Sequence, residues 1–177
     1  MITIKRIEED RKDDINIKNY PFKLFGLLLP SYNNGKWDHT ELLFPKENVT
    51  EMCFPDEDYD YDEMSKNSVF VGAYDGEKCV GLAILQQAFL RYMYLYDLKV
   101  DRDCRGKGVG RLLLEKCKEA AVQEGYKGLY TQCQDNNLAA CLFYLKQGFE
   151  IGGLDTRVYR GTPQEHKKDI LFYCDAV

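Results

Sequence analysis

The chain has 177 residues and a formal net charge of −5, with 45% hydrophobic and 30% charged residues. That size and balance predict a single globular domain, residues 1–177, with a proper core, and the acidic charge argues against generic nucleic-acid binding. The longest apolar run, residues 22–29, is broken by Lys23 and far short of the about eighteen residues a membrane span needs. Residues 1–5 lack the apolar core of a signal peptide, so the expected location is the cytoplasm.

In chain order, residues 1–7 alternate well enough for a strand, and residues 8–19 are polar, a loop or short helix. Residues 20–29 have helical apolar spacing, with Pro21 suited to a helix start and Pro30 to its stop. Residues 37–44 read as a short strand. Residues 56–63 pack carboxylates and tyrosines into one acidic window. Residues 68–74 and 78–88 read as strands joined by the hairpin turn Asp75-Gly76. A strand follows at 93–100, a helix at 108–123 with Gly125 as its C-cap, a strand at 128–134, a helix at 137–147 stopped by Gly148, and strands at 149–159 and 169–174. The predicted fold class is α+β, a mixed, mostly antiparallel central β-sheet flanked by helices.

Seven cysteines, an odd number with no C-x-x-C pair, and two histidines offer no metal-ligand spacing. The thiols read as small, reduced, apolar residues, and no metal is expected.

The most informative stretch is the strand ending at Val100, the turn Arg105-Gly106-Lys107-Gly108-Val109-Gly110, and the helix that opens at Arg111. A glycine-rich turn between a strand and a helix N-terminus gathers unpaired backbone N–H groups at the positive end of a helix dipole. Glycine lets the backbone approach an anion closely, with φ above zero at some positions. The spacing excludes the P-loop, since Gly110 is followed by Arg111-Leu112, and it misses G-x-G-x-x-G by one position. It fits R-x-x-G-x-G, with Arg105, Gly108 and Gly110, and a phosphate or pyrophosphate is the expected ligand. Lys107 and Arg111 add positive charge there or stand as solvated helix residues.

A second segment, Asn137 to Phe149, has the spacing N-x-x-A-x-x-x-Y-x-x-x-G-F some thirty residues downstream. In this order and at this separation the two motifs resemble the GNAT superfamily of acetyl-coenzyme A-dependent N-acetyltransferases, over about residues 68–175. The resemblance implies that acetyl-CoA is the co-substrate and that the turn of Arg105, Gly106, Lys107, Gly108, Val109, Gly110 and Arg111 holds its pyrophosphate. It also implies that Asn137 contacts the pantetheine arm and that Tyr144 sits near the thioester sulfur.

Acetyl transfer from a thioester to an amine needs a base for an acceptor that is fewer than about one part in a thousand neutral at pH 7. It also needs a proton for the departing thiolate. Tyr144 is the candidate acid, with a core aromatic as its other reading. Asp97 is the candidate base or amine-orienting carboxylate, since it lies on the strand that should carry the acetyl group; its other reading is an ion pair with Lys99 or Arg91. Backbone groups at Leu98 and Val100 are expected to hydrogen-bond the pantetheine arm like another strand and to serve the oxyanion. Asn137 also suits a helix cap.

Several stretches beyond these motifs, among them Pro21-Phe22, residues 37–43, the acidic window and residues 134–138, resemble bacterial streptothricin (nourseothricin) acetyltransferases. That likeness implies transfer to the β-lysine arm of the antibiotic, giving resistance. A polycationic substrate suits the carboxylates Asp56, Asp58, Asp60 and Asp62, with Tyr59, Tyr61 and Tyr96 as aromatic partners for ammonium groups; a merely solvated acidic loop is the alternative. A polyamine, an aminoglycoside or a protein N-terminus as acceptor, a non-catalytic acyl-CoA sensor, and pairing as a homodimer all stay open.

Overall fold

A computed structural model describes residues 1–176. The elements run β1 (Ile2–Arg6), a 3-10 segment (Glu9–Asn16), β2 (Phe22–Leu24), β3 (Gly26–Asn33), β4 (Lys36–Leu43), a 3-10 turn (Lys46–Asn48) and β5 (Thr50–Met52). They continue with α1 (Tyr61–Met64), β6 (Ser68–Asp75), β7 (Lys78–Gln86), β8 (Tyr92–Val100), a 3-10 turn (Arg102–Cys104), α2 (Val109–Gln123), β9 (Gly128–Gln134), α3 (Leu138–Lys146), β10 (Glu150–Asp155) and β11 (Asp169–Asp175). The predicted α+β class holds, with mostly antiparallel strands flanked by helices.

The chain divides into two compact units. The first joins Met1–Tyr20, Cys53–Leu129 and the residues from Asp175 onward; the second joins Pro21–Met52 and Tyr130–Cys174. In the first unit the strand order is β1, β6, β7, β8, each pairing antiparallel with the next. One face of this sheet has small residues beneath α2: Val71 lies opposite Ala83, and Ala73 opposite Gly81. A Cβ on Gly81 would stand 3.1–3.2 Å from Leu113 and Val109 of α2, so small residues here let the helix lie close. The other face carries Phe70, Leu82 and Ile84, which form a cluster with Ile7, Ile15 and Tyr74. Tyr59, Tyr61 and Met64 pack against that cluster, which brings the acidic window onto this face. Full burial of each such aliphatic or aromatic side chain contributes about 1.5–3 kcal/mol.

In the second unit β9, β11 and β10 are neighbours in that order, β2 pairs with β5, and β3 pairs with β4. Here two expectations fail. The helix predicted over residues 20–29 is instead β2 and the start of β3, because both segments find strand partners and tertiary pairing outweighs apolar spacing that also fits a strand. The overlooked signal is Asn34-Gly35: its φ values of 51° and 78° make the two-residue turn that closes the β3–β4 hairpin. The strand predicted over 149–159 ends at Asp155, whose Oδ1 accepts from the N–H groups of Arg157 (2.8 Å) and Val158 (3.0 Å) and turns the chain away. β5 was not anticipated at all.

Because Gly35 holds a left-handed conformation, Gly35→Val should lower the unfolding free energy by about 1–2 kcal/mol, read as a fall in the urea midpoint at constant slope. No loss of stability would rule out the hairpin turn.

Candidate active site

The geometry of the site begins with one extra residue in β8. β7 and β8 pair as Ile84 with Asp97 and then Leu85 with Leu95, so Tyr96 is a bulge with no opposite number. Strand side chains alternate between faces, and a regular strand would send Asp97 to the side of Leu95 and α2. The inserted residue turns Asp97 and Lys99 to the side of Ile84 and Leu82, which is the face the acidic window covers.

Two asparagines fix how that window lies. Asn16 Nδ2 donates to the Tyr59 carbonyl (2.9 Å), and the Tyr59 N–H donates back to Asn16 Oδ1 (2.7 Å). Asn19 Nδ2 donates to the Pro55 carbonyl (2.9 Å) and to Glu57 Oε2 (2.8 Å), and its N–H to Asp56 Oδ1 (2.7 Å). In this alternation Glu57 and Tyr59 turn inward, half-buried, while Asp56, Asp58, Asp60 and Asp62 are exposed. Asp60 caps α1 by accepting from the Glu63 N–H (3.1 Å), and Asp62 stands 3.8 Å from Lys12.

The inward residues meet Asp97. Tyr59 Oη donates to Asp97 Oδ2 (3.1 Å). The Lys99 side chain, only 8% exposed, puts its Nζ 2.5 Å from Glu57 Oε2 and 3.3 Å from Asp97 Oδ2, and donates to the Ile17 carbonyl (3.4 Å). It also lies 5.7 Å from the centre of the Tyr59 ring. The rings of Tyr59 and Tyr94 stand edge-on to Tyr96, which is 42% exposed. Burial pushes the Asp97 carboxyl above the usual carboxylate range; Lys99 pulls it down, Glu57 pushes it up again, and the Tyr59 hydrogen bond lowers it. Burial, with the charges of Asp97 and Glu57 beside it, drives the Tyr59 phenol far above its ordinary value and keeps it a donor. With both carboxylates ionised the cluster carries one negative charge in excess, with Tyr59 against it and Tyr96 beside Tyr59, an environment suited to an ammonium group.

Beyond the cluster, Leu98 and Val100 pair with Ala83 and Gly81, and the Asp101 N–H donates to the Val80 carbonyl (2.8 Å). Asp101 then holds the turn: Oδ1 accepts from the Asp103 N–H (3.1 Å) and Oδ2 pairs with Lys78 (2.9 Å), which keeps its carboxyl below the usual range. Gly106 and Gly108 have φ values of 72° and 81°, as the anion-turn reading expects. Gly108 is the N-cap of α2 and supplies no side-chain cap. A Cβ at either glycine would meet nothing within 4 Å, so the backbone here faces open space. An N-terminus without a side-chain cap, left-handed glycines and the cations of the turn suit a pyrophosphate. Arg105 Nε donates to the Val100 carbonyl (3.2 Å) and its Nη2 to the Tyr20 carbonyl (3.5 Å), which braces the turn against the end of β8. Lys107 is exposed, Val109 is buried beneath the turn, Gly110 is half-buried, and Arg111 pairs with Glu115 (2.6 Å).

In the second unit Asn137 is the N-cap of α3, its Oδ1 accepting from the Ala140 N–H (3.3 Å). Tyr144, 8% exposed, packs its ring against Phe143, Phe149 and Phe172 at 5.2–5.8 Å between centres.

Glu57 and Asn19 had no place among the residues singled out from the sequence, although both belong to the Asp97 cluster; Lys99 was named as an ion-pair partner of Asp97, and the pair is present at 3.3 Å. Even-numbered aspartates drew attention by their number; the strand-like alternation of the window, which turns the odd positions inward, was the available signal.

The acetyltransferase (GNAT) family profile matches residues 37–149. Streptothricin acetyltransferase A of Bacillus subtilis (strain 168) is 35% identical over 160 residues, covering 90% of this chain and 92% of that protein. A provisionally assigned streptothricin acetyltransferase of Bacillus anthracis strain Ames, solved in complex with acetyl coenzyme A, superposes with a TM-score of 0.87 at 27% identity over 99% of both chains. A nourseothricin acetyltransferase structure, 20% identical over 99% of both chains, shares the fold with a TM-score of 0.80. No helix among the described residues is long and apolar enough to cross a membrane. The chain belongs to the acetyltransferase (GNAT) family and is an acetyl-CoA-dependent N-acetyltransferase.

Proposed function

We propose that this enzyme, working as one acetyltransferase domain in the cytoplasm, acetylates an amino group on the β-lysine arm of streptothricin and so gives resistance to the antibiotic. The observation that carries the reading is the Asp97 cluster, with its excess negative charge and surrounding tyrosines, in a chain 35% identical to a streptothricin acetyltransferase over 90% of its length. Exposed Asp56, Asp58, Asp60 and Asp62 steer the polycation towards this face by long-range attraction, and Tyr96 offers it an aromatic surface.

Acetyl-CoA, when bound, supplies an activated acyl thioester. The N–H groups of the Gly106–Gly110 turn and of the first turn of α2 hold its pyrophosphate, with Arg105, Lys107 and Arg111 adding positive charge. Backbone groups at Leu98 and Val100, and the Asn137 side chain, hold the pantetheine arm, and β8 N–H groups stabilise the oxyanion. Asp97 accepts the proton that the acceptor ammonium must lose; Tyr59 stays protonated and keeps one Asp97 oxygen oriented. Tyr144 donates the proton that the departing thiolate takes up, and the proton that the nitrogen sheds as the amide forms restores the phenol.

Thiol release measured with a panel of amines tests the substrate. Streptothricin should give a higher kcat/KM than spermine, an aminoglycoside or a peptide with a free N-terminus, and expression should let a sensitive bacterium grow on nourseothricin. No thiol release with streptothricin and no protection would overturn the substrate and leave the family standing. For the leaving group, Tyr144→Phe removes only the hydroxyl and should lower kcat by about 10²–10⁴-fold, with acetyl-CoA affinity unchanged by calorimetry. Normal turnover when chemistry limits the rate would show that another group protonates the thiolate.

A further inference from the structure

Two charged side chains of the Asp97 cluster have no task in the acetyl-transfer scheme, Glu57 and Lys99. Their geometry is uneven. Lys99 Nζ is 2.5 Å from Glu57 Oε2 but 3.3 Å from Asp97 Oδ2, so the ammonium belongs first to Glu57. The same Glu57 oxygen accepts from Asn19 Nδ2 at 2.8 Å, and Asn19 also holds the backbone at Pro55, so the carboxylate is fixed from two sides. Asp97 keeps a hydrogen bond from Tyr59 at 3.1 Å and the longer Lys99 contact at 3.3 Å, both on Oδ2. Its other oxygen, Oδ1, takes no hydrogen bond among the described residues.

We propose that Glu57 is a positioning residue for acetyl transfer: it draws the Lys99 ammonium off Asp97 and leaves that carboxylate to the incoming amine. The proposal rests on Asp97 being the group that takes the amine's proton. A buried Lys99 next to Asp97 without Glu57 would close on it as a full ion pair, and an ion-paired carboxylate is a weaker base with an oxygen already occupied. With Glu57 present, the cluster keeps one negative charge beyond what Lys99 cancels, so a further ammonium brings it to neutrality rather than to a net positive charge. Glu57 acts through Lys99 and through its own negative charge, both of which hold Asp97 in a more basic state. The other groups facing Asp97 are Tyr59 from the same window and Lys99 from its own strand, with Tyr96 beyond against the Tyr59 ring.

The direction of the effect follows from the signs. Below its titration point Asp97 is protonated and cannot take a proton, so kcat/KM falls as pH falls through that point. Removing the Glu57 charge, and letting Lys99 move onto Asp97, shifts that point to lower pH; removing Lys99 shifts it to higher pH.

The test is a ¹³C NMR titration of the aspartate carboxyls in the full-length protein, alongside pH profiles of kcat/KM. The Asp97 signal is assigned as the one missing in Asp97→Asn. Glu57→Gln, which keeps the shape and removes the charge, should move the Asp97 titration and the acid limb of kcat/KM to lower pH together. Its kcat/KM at pH 7 should fall by less than the about 10²-fold expected for losing the base altogether, and acetyl-CoA affinity should stay the same. Lys99→Met should move both to higher pH. If Glu57→Gln does not fold, Glu57→Asp, whose shorter side chain stops short of Lys99, should shift both in the same direction as Glu57→Gln. An Asp97 titration that stays put or rises in the Glu57 variant overturns the proposal, and so does an acid limb that ignores the shift. If the acid limb survives in Asp97→Asn, Asp97 is not the base and the underlying reading fails; if it vanishes there but does not move in the Glu57 variant, only the role of Glu57 fails.

Discussion

One inserted residue decides which way the chemistry points. Without the bulge at Tyr96, the alternation of β8 would aim Asp97 at the face occupied by α2, among small side chains with no polar partner. With it, Asp97 and Lys99 share a face with Ile84 and Leu82, where the acidic window lies and where Tyr59 reaches the carboxylate. The segregation of side chains by size follows the same division. Small residues on one face of β6 and β7 let α2 pack closely, and large ones on the other anchor the segment that carries Glu57 and Tyr59.

The cluster this creates is costly by ordinary standards. Half-buried and buried charges lose hydration, and a well-packed apolar set of the same volume is often at least as stable. Glu57, Asp97 and Lys99 offset the cost by sharing one ammonium between two carboxylates, with Asn19, Tyr59 and the Ile17 carbonyl completing the hydrogen bonding. What remains is a net negative charge and an acceptor oxygen on Asp97. Such an arrangement contributes little to stability and suits the proposed binding of a cation that must then give up a proton. The turn proposed for the pyrophosphate is built from different material: backbone N–H groups and left-handed glycines at the start of α2, steadied by Asp101, Lys78 and Arg105.

The left-handed glycines of the 105–110 turn and the Asn137 helix cap were legible from the sequence because each depends on local chemistry: glycine where φ must be positive, a short polar side chain where a helix starts. The strands of the first unit were legible for a similar reason, since their apolar runs are unambiguous, although the turn between β6 and β7 is Gly76-Glu77, one residue on from the Asp75-Gly76 expected. Residues 20–29 were misread because their spacing fits both periods, and only the partner strands β4 and β5 decide between them. The acidic window was located correctly as a feature, but which of its side chains turn inward is set by Asn16 and Asn19, some forty residues away in the chain. The bulge was invisible for the same reason: nothing in Tyr94-Leu95-Tyr96-Asp97 says that one residue will fall out of register with β7.

If the face created by the bulge receives the acceptor amine, a crystal structure of the protein with coenzyme A and streptothricin bound should show an amino nitrogen of the antibiotic within about 3 Å of Asp97 Oδ1, beside Tyr96, with Lys99 still paired to Glu57. Streptothricin held by the outward aspartates of the window, with no amino group near Asp97, would contradict it.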